Sequence, residues 1–273
     1  MRRFVLLCCV AGAGPLRAQA PDTKAPNDAP IKDNSFLVEE AYNQDPRVVQ
    51  HINTFLRSTT GAGWVYTFTQ EWPVGGQTNQ LSYTIPIART DDASGGAKGL
   101  GDVALNYRRQ YGGSEHDRLA LAPRLTVLLP TGDSRRGLGS GGTGFQVMLP
   151  FSVEISDHFV AHSNAGMTYT PHAHDTFDNS AATRSYILGQ SVIWLALPRL
   201  NVMLESTWTS SEEVVGRGRT ARSSEFLLSP GVRGAFNFRS GLQIVPGLAF
   251  PFGIGSSRGD RAVFAYLSFE HPF

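Results

Sequence analysis

Charged residues recur at alternate positions along several greasy stretches of this chain, and they are the first candidates for chemistry. Glu71, Asp102, Arg108, Arg124, Glu154, His162, Glu205, Arg233 and Glu270 each fall on the polar parity of a segment whose other parity is apolar. Residues of one parity share one face of a strand. Carboxylates and guanidinium groups gathered on one wet face can pair and brace a wall. Arranged as a ring they can instead sort small solutes by charge and size, with Arg108, Arg124 and Arg233 facing Glu154, Glu205 and Glu270.

Three other clusters suggest chemistry and are weighed against plainer readings. His162, Ser163 and Asn164 invite a hydrolase, but in a strand His162 and Asn164 share a face while Ser163 points the other way. His172, His174, Asp175 and Asp178 are metal-ligand types close together, although an exposed polar loop collects such residues freely. The stretch Leu128 to Asp133 with Gly137, Gly139, Gly141 and Gly142 is glycine-rich like a phosphate cradle, yet it lacks the Lys-Ser/Thr that completes one. There Pro130 ends a strand, Asp133 turns the chain, and the glycines let a loop fold back. No cofactor, metal or catalytic group is expected, and no nucleotide site offers energy coupling.

The elements that carry these residues read as strands. From about residue 62 onward, segments of period-two hydrophobicity are bounded by Gly, Asp, Ser and Pro. Leu119, Leu121, Leu125, Val127 and Leu129 alternate with Arg118, Ala120, Ala122, Arg124 and Thr126. Phe145 to Ile155 and Phe226 to Phe238 repeat the split. Strands of soluble domains average about five or six residues, whereas a tilted strand crossing a bilayer needs roughly 9 to 11, and these are long. Only a closed barrel satisfies every backbone group in lipid. The expected fold is therefore an all-β, transmembrane, antiparallel up-and-down barrel of about 12 strands with both termini periplasmic.

The 273 residues suit one such unit, with 41% hydrophobic residues, 17% charged residues and a net charge of +1. Scattered single arginines give no basic stripe, so nucleic acid is not an expected partner. Met1 to Ala20 reads as a secretory signal, with Arg2 and Arg3, an apolar run from Phe4 to Ala13, and Ala18-Gln19-Ala20 as the cleavage site. Both cysteines, Cys8 and Cys9, lie within it, and a lipoprotein signal at Leu7-Cys8 is the lesser reading. The chain divides into a signal at 1–20, a periplasmic arm at 21–46 and a barrel at 47–273. The arm begins rich in Pro, Asp, Asn and Lys. Ser35 to Gln44 reads as a short helix, an extra strand or a plug, and tucking into or beneath the barrel is the favoured reading.

Connection lengths should alternate between long extracellular loops and short periplasmic turns. Long ones are expected at Arg89 to Lys98, Thr131 to Gly142, Pro171 to Thr183, Ser211 to Ala221 and Gly253 to Asp260. Short ones centre on Gly75-Gly76, Gly112-Gly113, Ser156-Asp157, Pro198-Arg199 and Arg239-Ser240. The first strand would be Val48 to Arg57, joined to the second through Ser58 to Gly61. Trp64, Tyr66, Trp72, Tyr83, Tyr107, Tyr111, Tyr169, Trp194 and Trp208 would form interfacial girdles. The alternating end of the chain, with Phe269 and Phe273 on one face, is similar to the assembly signal read by the barrel-insertion machinery; His271 departs from that pattern.

Leu128-Leu129-Pro130-Thr131-Gly132-Asp133 with Gly137-Leu138-Gly139, Gly99-Leu100-Gly101-Asp102-Val103 with Asn106-Tyr107-Arg108, and Ala122-Pro123-Arg124 form a set of short motifs. In their relative positions they resemble outer-membrane transporters of the phenol meta-pathway degradation family. Phe36 to Tyr42, Val49-Gln50-His51-Ile52 and Ser229-Pro230-Gly231-Val232-Arg233 add to the likeness, which covers most of the mature chain. The resemblance implies a barrel that moves hydrophobic or aromatic compounds, with no catalytic residues. The reading is passive transport of a small solute, with outer-membrane lipid and the assembly machinery as partners. A structural or adhesive barrel and an outer-membrane hydrolase are the alternatives.

Overall fold

The computed structural model describes residues 31, 35–90, 96–113 and 117–273. The expected signal at 1–20 and nearly all of the arm before residue 35 lie outside the described residues.

Twelve antiparallel strands close into one barrel. They are β1 (Val48–Ser58), β2 (Trp64–Pro73), β3 (Asn79–Arg89), β4 (Lys98–Leu100 with Val103–Arg109), β5 (Leu119–Leu121 with Arg124–Leu129) and β6 (Gly144–Ser156). Then follow β7 (Phe159–His174), β8 (Ser180–Leu197), β9 (Leu200–Gly216), β10 (Arg219–Gly234), β11 (Gln243–Ala249 with Phe252–Gly253) and β12 (Ala262–Pro272). Each strand pairs with its chain neighbour, and β1 pairs with β12 from Val48↔Pro272 to Ser58↔Ala262, which leaves no free edge. Both ends of the barrel lie on the side of the short turns, the periplasmic side of such barrels.

Two solvents explain the pattern of faces. Leu105, Leu125, Phe145, Leu188 and Leu204 are each about half exposed and form part of a continuous apolar outer wall. Their strand neighbours Asn106, Thr126, Gly144, Gly189 and Glu205 point inward, where many polar groups are buried. A surface this greasy is stable only against hydrocarbon, so the barrel sits in the outer membrane.

Two expected loops prove to be largely strand, with only short turns left at 175–179 and 217–218. β7 to β10 have 16, 18, 17 and 16 residues, so 171–174 and 211–216 extend the ladder instead of ending it. At about 3.3 Å per residue and a tilt near 40° such strands rise roughly 40 Å, well above an apolar band of about 25 Å. Their tips therefore stand in water. Glu212, Glu213, Arg222, Ser223 and Ser224 place polar groups on both faces there, and that composition is why the sequence reads as loop.

The long loop 130–143 folds back on the mouth. Asp102, on the inward parity of β4, accepts the Gly132 N–H at 3.0 Å, and its other oxygen takes the Ser140 N–H and hydroxyl, both at 2.7 Å. The His174 N–H at the top of β7 donates to the Ser140 carbonyl at 2.7 Å. One loop is thus tied to strands on either side of its own hairpin. Gly132 and Gly139 touch backbone to backbone beside Asp102, leaving no room for side chains.

Candidate functional site

Residues 35–44 cross the barrel interior as an irregular extended segment and form neither a helix nor a thirteenth strand. Backbone polar groups buried away from water need partners, and here the wall's side chains supply them. Glu205 of β9 accepts the N–H groups of Phe36 at 3.0 Å, Leu37 at 3.1 Å and Val38 at 3.3 Å. Asn164 of β7 accepts the Glu39 N–H at 2.7 Å and donates back to the Glu39 carbonyl at 2.8 Å, copying a strand-to-strand pair. The Ala41 N–H goes to Ser152 of β6 at 2.8 Å, that of Asn43 to Gln110 at 2.6 Å, and that of Gln44 to Gln80 of β3 at 2.8 Å.

Arg108 of β4 binds three oxygens of the same segment. Its Nε donates to the Asn43 side chain at 2.8 Å, Nη1 to the Glu40 carbonyl at 3.2 Å and Nη2 to the Tyr42 carbonyl at 2.6 Å. Planar, fixed donors suit such a multiple contact. The charge of Arg108 is balanced by Glu71 of β2 at 4.0 Å, and Glu71 in turn accepts from Gln80 at 2.8 Å. Arg124 of β5 pairs with Glu39 of the segment at 2.7 Å and donates to Asn106 and Gln146 on the adjoining strands.

The other anchor is apolar. The Phe36 ring packs against Phe264 and Tyr266 of β12, each at 5.4 Å between centroids. It lies on Gly231 of β10 and Gly247 of β11, where any Cβ would overlap the ring. Ile31, Ile52, Ile193, Met203, Val245 and Ala249 complete this buried inner cluster. One sector of the lumen is therefore greasy, while the rest is polar.

The expected lumen residues separate into groups. Glu71, Arg108, Arg124, His162, Glu205 and Arg233 gather around the segment; Arg233 is buried beside Gly247, on which the Phe36 ring lies. Asp102 belongs to the loop latch instead. Glu154 is exposed near the periplasmic end of β6, and Glu270 lies half-buried opposite Gln50 at the foot of β12. His162 meets a serine after all: Ser152, directly opposite on β6, has its hydroxyl 2.7 Å from His162 Nδ1. Ser152 is fully buried and its oxygen already accepts the Ala41 N–H, so a substrate has no approach while the segment is in place. Of the metal-ligand types at the outer loop, Asp178 is taken by Arg135 at 3.2 Å and His174 at 3.1 Å. Asp175 holds its own turn through Phe177 and Asn179.

Sequence reasoning on charge alone missed the neutral half of the site. Gln50, Gln80, Gln110, Ser152 and Asn164 are buried and bind the segment directly or through a neighbour. Amide and hydroxyl side chains on inward parity were the available signal. Phe269 and Phe273 lie on the outer face, and Phe273 is 68% exposed.

Neither a family model nor a curated protein matches the chain in sequence. In structure it is similar to an outer-membrane channel from Pseudomonas putida F1, with a TM-score of 0.66 and 13% identity over 87% of this chain and 97% of that one. It is also similar to the KdgM porin, with a TM-score of 0.50 and 8% identity over 82% of this chain and 99% of that one. At such identities the likeness concerns the fold, and together with the apolar outer wall it makes this chain an outer-membrane β-barrel.

Proposed function

We propose that this barrel is a passive channel for small solutes, with residues 35–44 as a plug that occludes its lumen at rest. The observation that carries the reading is the plug's bonding. Wall side chains satisfy its backbone through polar contacts that water can replace once it leaves, whereas packed apolar groups of similar volume would hold a permanent filler at least as firmly. Arg108, Arg124 and Arg233 then face Glu71 and Glu205 as a charged constriction, with Glu154 and Glu270 towards the periplasmic mouth. The structural neighbours named as a channel and a porin support transport as the class of function.

The cargo class we infer is small and aromatic or hydrophobic, in line with the resemblance to transporters of the phenol meta-pathway. The greasy sector of Phe264, Tyr266, Ile193 and Met203, uncovered when Phe36 leaves with the plug, would give an aromatic ring a place to rest. Solute release needs no energy source, because the gradient supplies the direction.

Single-channel recording in planar bilayers tests this reading, comparing the mature chain with one lacking residues 21–46. The expected result is rare, brief opening of the former and steady conductance of the latter. Alanine at Arg108, Arg124 and Arg233 in the shortened chain should move selectivity toward cations. Silence in both forms, joined to hydrolysis of lipid or peptide that depends on Ser152 and His162, would replace the channel with an enzyme.

A further inference from the structure

The seam where the first and last strands meet carries a pair of histidines that no part of the transport reading uses. His51 on β1 and His271 on β12 sit diagonally across this seam, since His51 faces Phe269 and Val49 faces His271 in register. Both lie near the periplasmic end of their strands, on the outward parity with Asn53 and Phe269, and both are partly exposed. Their rings stack with centroids 5.4 Å apart, and the His51 ring also stacks on Phe68 at 6.1 Å.

The two Nε2 atoms are 3.3 Å apart. That separation lies at the long end of the range for a hydrogen bond, N–H donors to oxygen preferring about 2.9–3.0 Å. It matches another arrangement closely. Two nitrogens each about 2.0–2.1 Å from one tetrahedral zinc ion stand about 3.3–3.4 Å from each other. His271 Nδ1 lies 3.1 Å from the Pro272 carbonyl, so the ring proton belongs on Nδ1 and the Nε2 lone pair faces His51. A histidine that ligates metal commonly donates its other N–H to a backbone carbonyl in this way, which fixes both tautomer and ring angle.

We infer that His51 and His271 form a two-histidine site for a borderline divalent cation of the zinc, nickel or copper type, clasping the β1–β12 seam at the periplasmic rim. Imidazole is the ligand type these ions favour, and harder ions such as magnesium or calcium would be rejected. Water completes the coordination. The site lies at the outer edge of the wall, so it binds whether or not the plug is in place. Its consequence is mechanical: the ion joins the two strands whose pairing closes the barrel, next to the Phe273 N–H that donates to the Arg47 carbonyl at 2.9 Å.

Calorimetric titration of the refolded, detergent-solubilised chain with zinc chloride tests the site. One ion per chain is expected, and His51→Ala or His271→Ala should each weaken binding by roughly tenfold or more. His174→Ala, far away at the top of β7, should leave it unchanged. Copper substitution adds a spectroscopic readout, with coupling to two imidazole nitrogens in the parent and to one in either seam variant. The parent chain also answers directly if a variant fails to fold: zinc should shield His51 and His271, but not His158 or His172, from diethylpyrocarbonate. Equal modification with and without zinc, or affinity indifferent to both seam substitutions, overturns the proposal.

Discussion

Both carboxylate oxygens of Glu205 accept the backbone N–H of Leu37, at 3.2 and 3.1 Å, although the two residues lie 168 positions apart. The same carboxylate holds Phe36 and Val38, so three successive N–H groups depend on one fully buried side chain. Each loses its acceptor in Glu205→Ala. A buried donor left unpaired costs about 1–3 kcal/mol, and water entering the lumen recovers part of that, so docking should weaken by roughly 2–5 kcal/mol. The open fraction then rises roughly thirtyfold to several thousandfold. Single-channel open probability measures it, and Glu205→Gln, which keeps one acceptor oxygen, should fall between the two.

Gly231 and Gly247 form the floor beneath Phe36, and no larger residue fits at either position. Gly231→Ala should therefore displace the ring without harming the outer wall. Overpacking of this kind costs about 1–3 kcal/mol, which corresponds to a roughly five- to 150-fold gain in plug release. Chymotrypsin cleavage after Phe36 or Leu37, at unchanged heat-modifiable mobility of the barrel, is the readout.

Asp102 ties loop 130–143 to β4 by three hydrogen bonds of 3.0, 2.7 and 2.7 Å. Asp102→Ala should release that loop while leaving the plug docked. Trypsin should then cut after Arg135 or Arg136 at least several times faster, with single-channel open probability unaltered. An equal rate of cutting in parent and variant would show that the loop is held by other means.

The turn between β7 and β8 should respond to acid. The Asn179 side chain, helped by the backbone N–H groups of Asn179 and Phe177, holds the Asp175 carboxyl below the usual aspartate range. A lowered folded value means the turn's stabilisation is complete above the ordinary aspartate pKa and is lost as pH falls through the depressed one. Amide resonances of Phe177 and Asn179 should shift together with a midpoint below that of an exposed aspartate. In Asp175→Asn the shift should vanish.

Much of the architecture was legible because the membrane imposes a two-residue period on every strand. The parity of Leu125 against Arg124 and Thr126, and the short turns at Ser156-Asp157 and Pro198-Arg199, carried directly into the barrel. The upper halves of β9 and β10 were not legible, since above the bilayer both faces meet water and the alternation has no cause. Arg108 and Glu205 were identifiable as inward charges, but their shared partner was not. They bind backbone atoms of residues 36–42, and a backbone N–H looks the same at every position of a sequence. The resemblance motifs gain a physical meaning here: Phe36 rests on Gly231, and Asp102 binds Gly132, so separate fragments prove to be two halves of single contacts.

The docking of residues 35–44 also orders events in time. Their acceptors come from β3, β6, β7 and β9, the last of them 169 residues further along than Phe36, so no partially zipped intermediate offers a complete socket. Contacts of such long sequence separation form late in folding. The leading segment is thus synthesised before the wall but finds its place only after it, and its burial reports that the cylinder behind it has been finished.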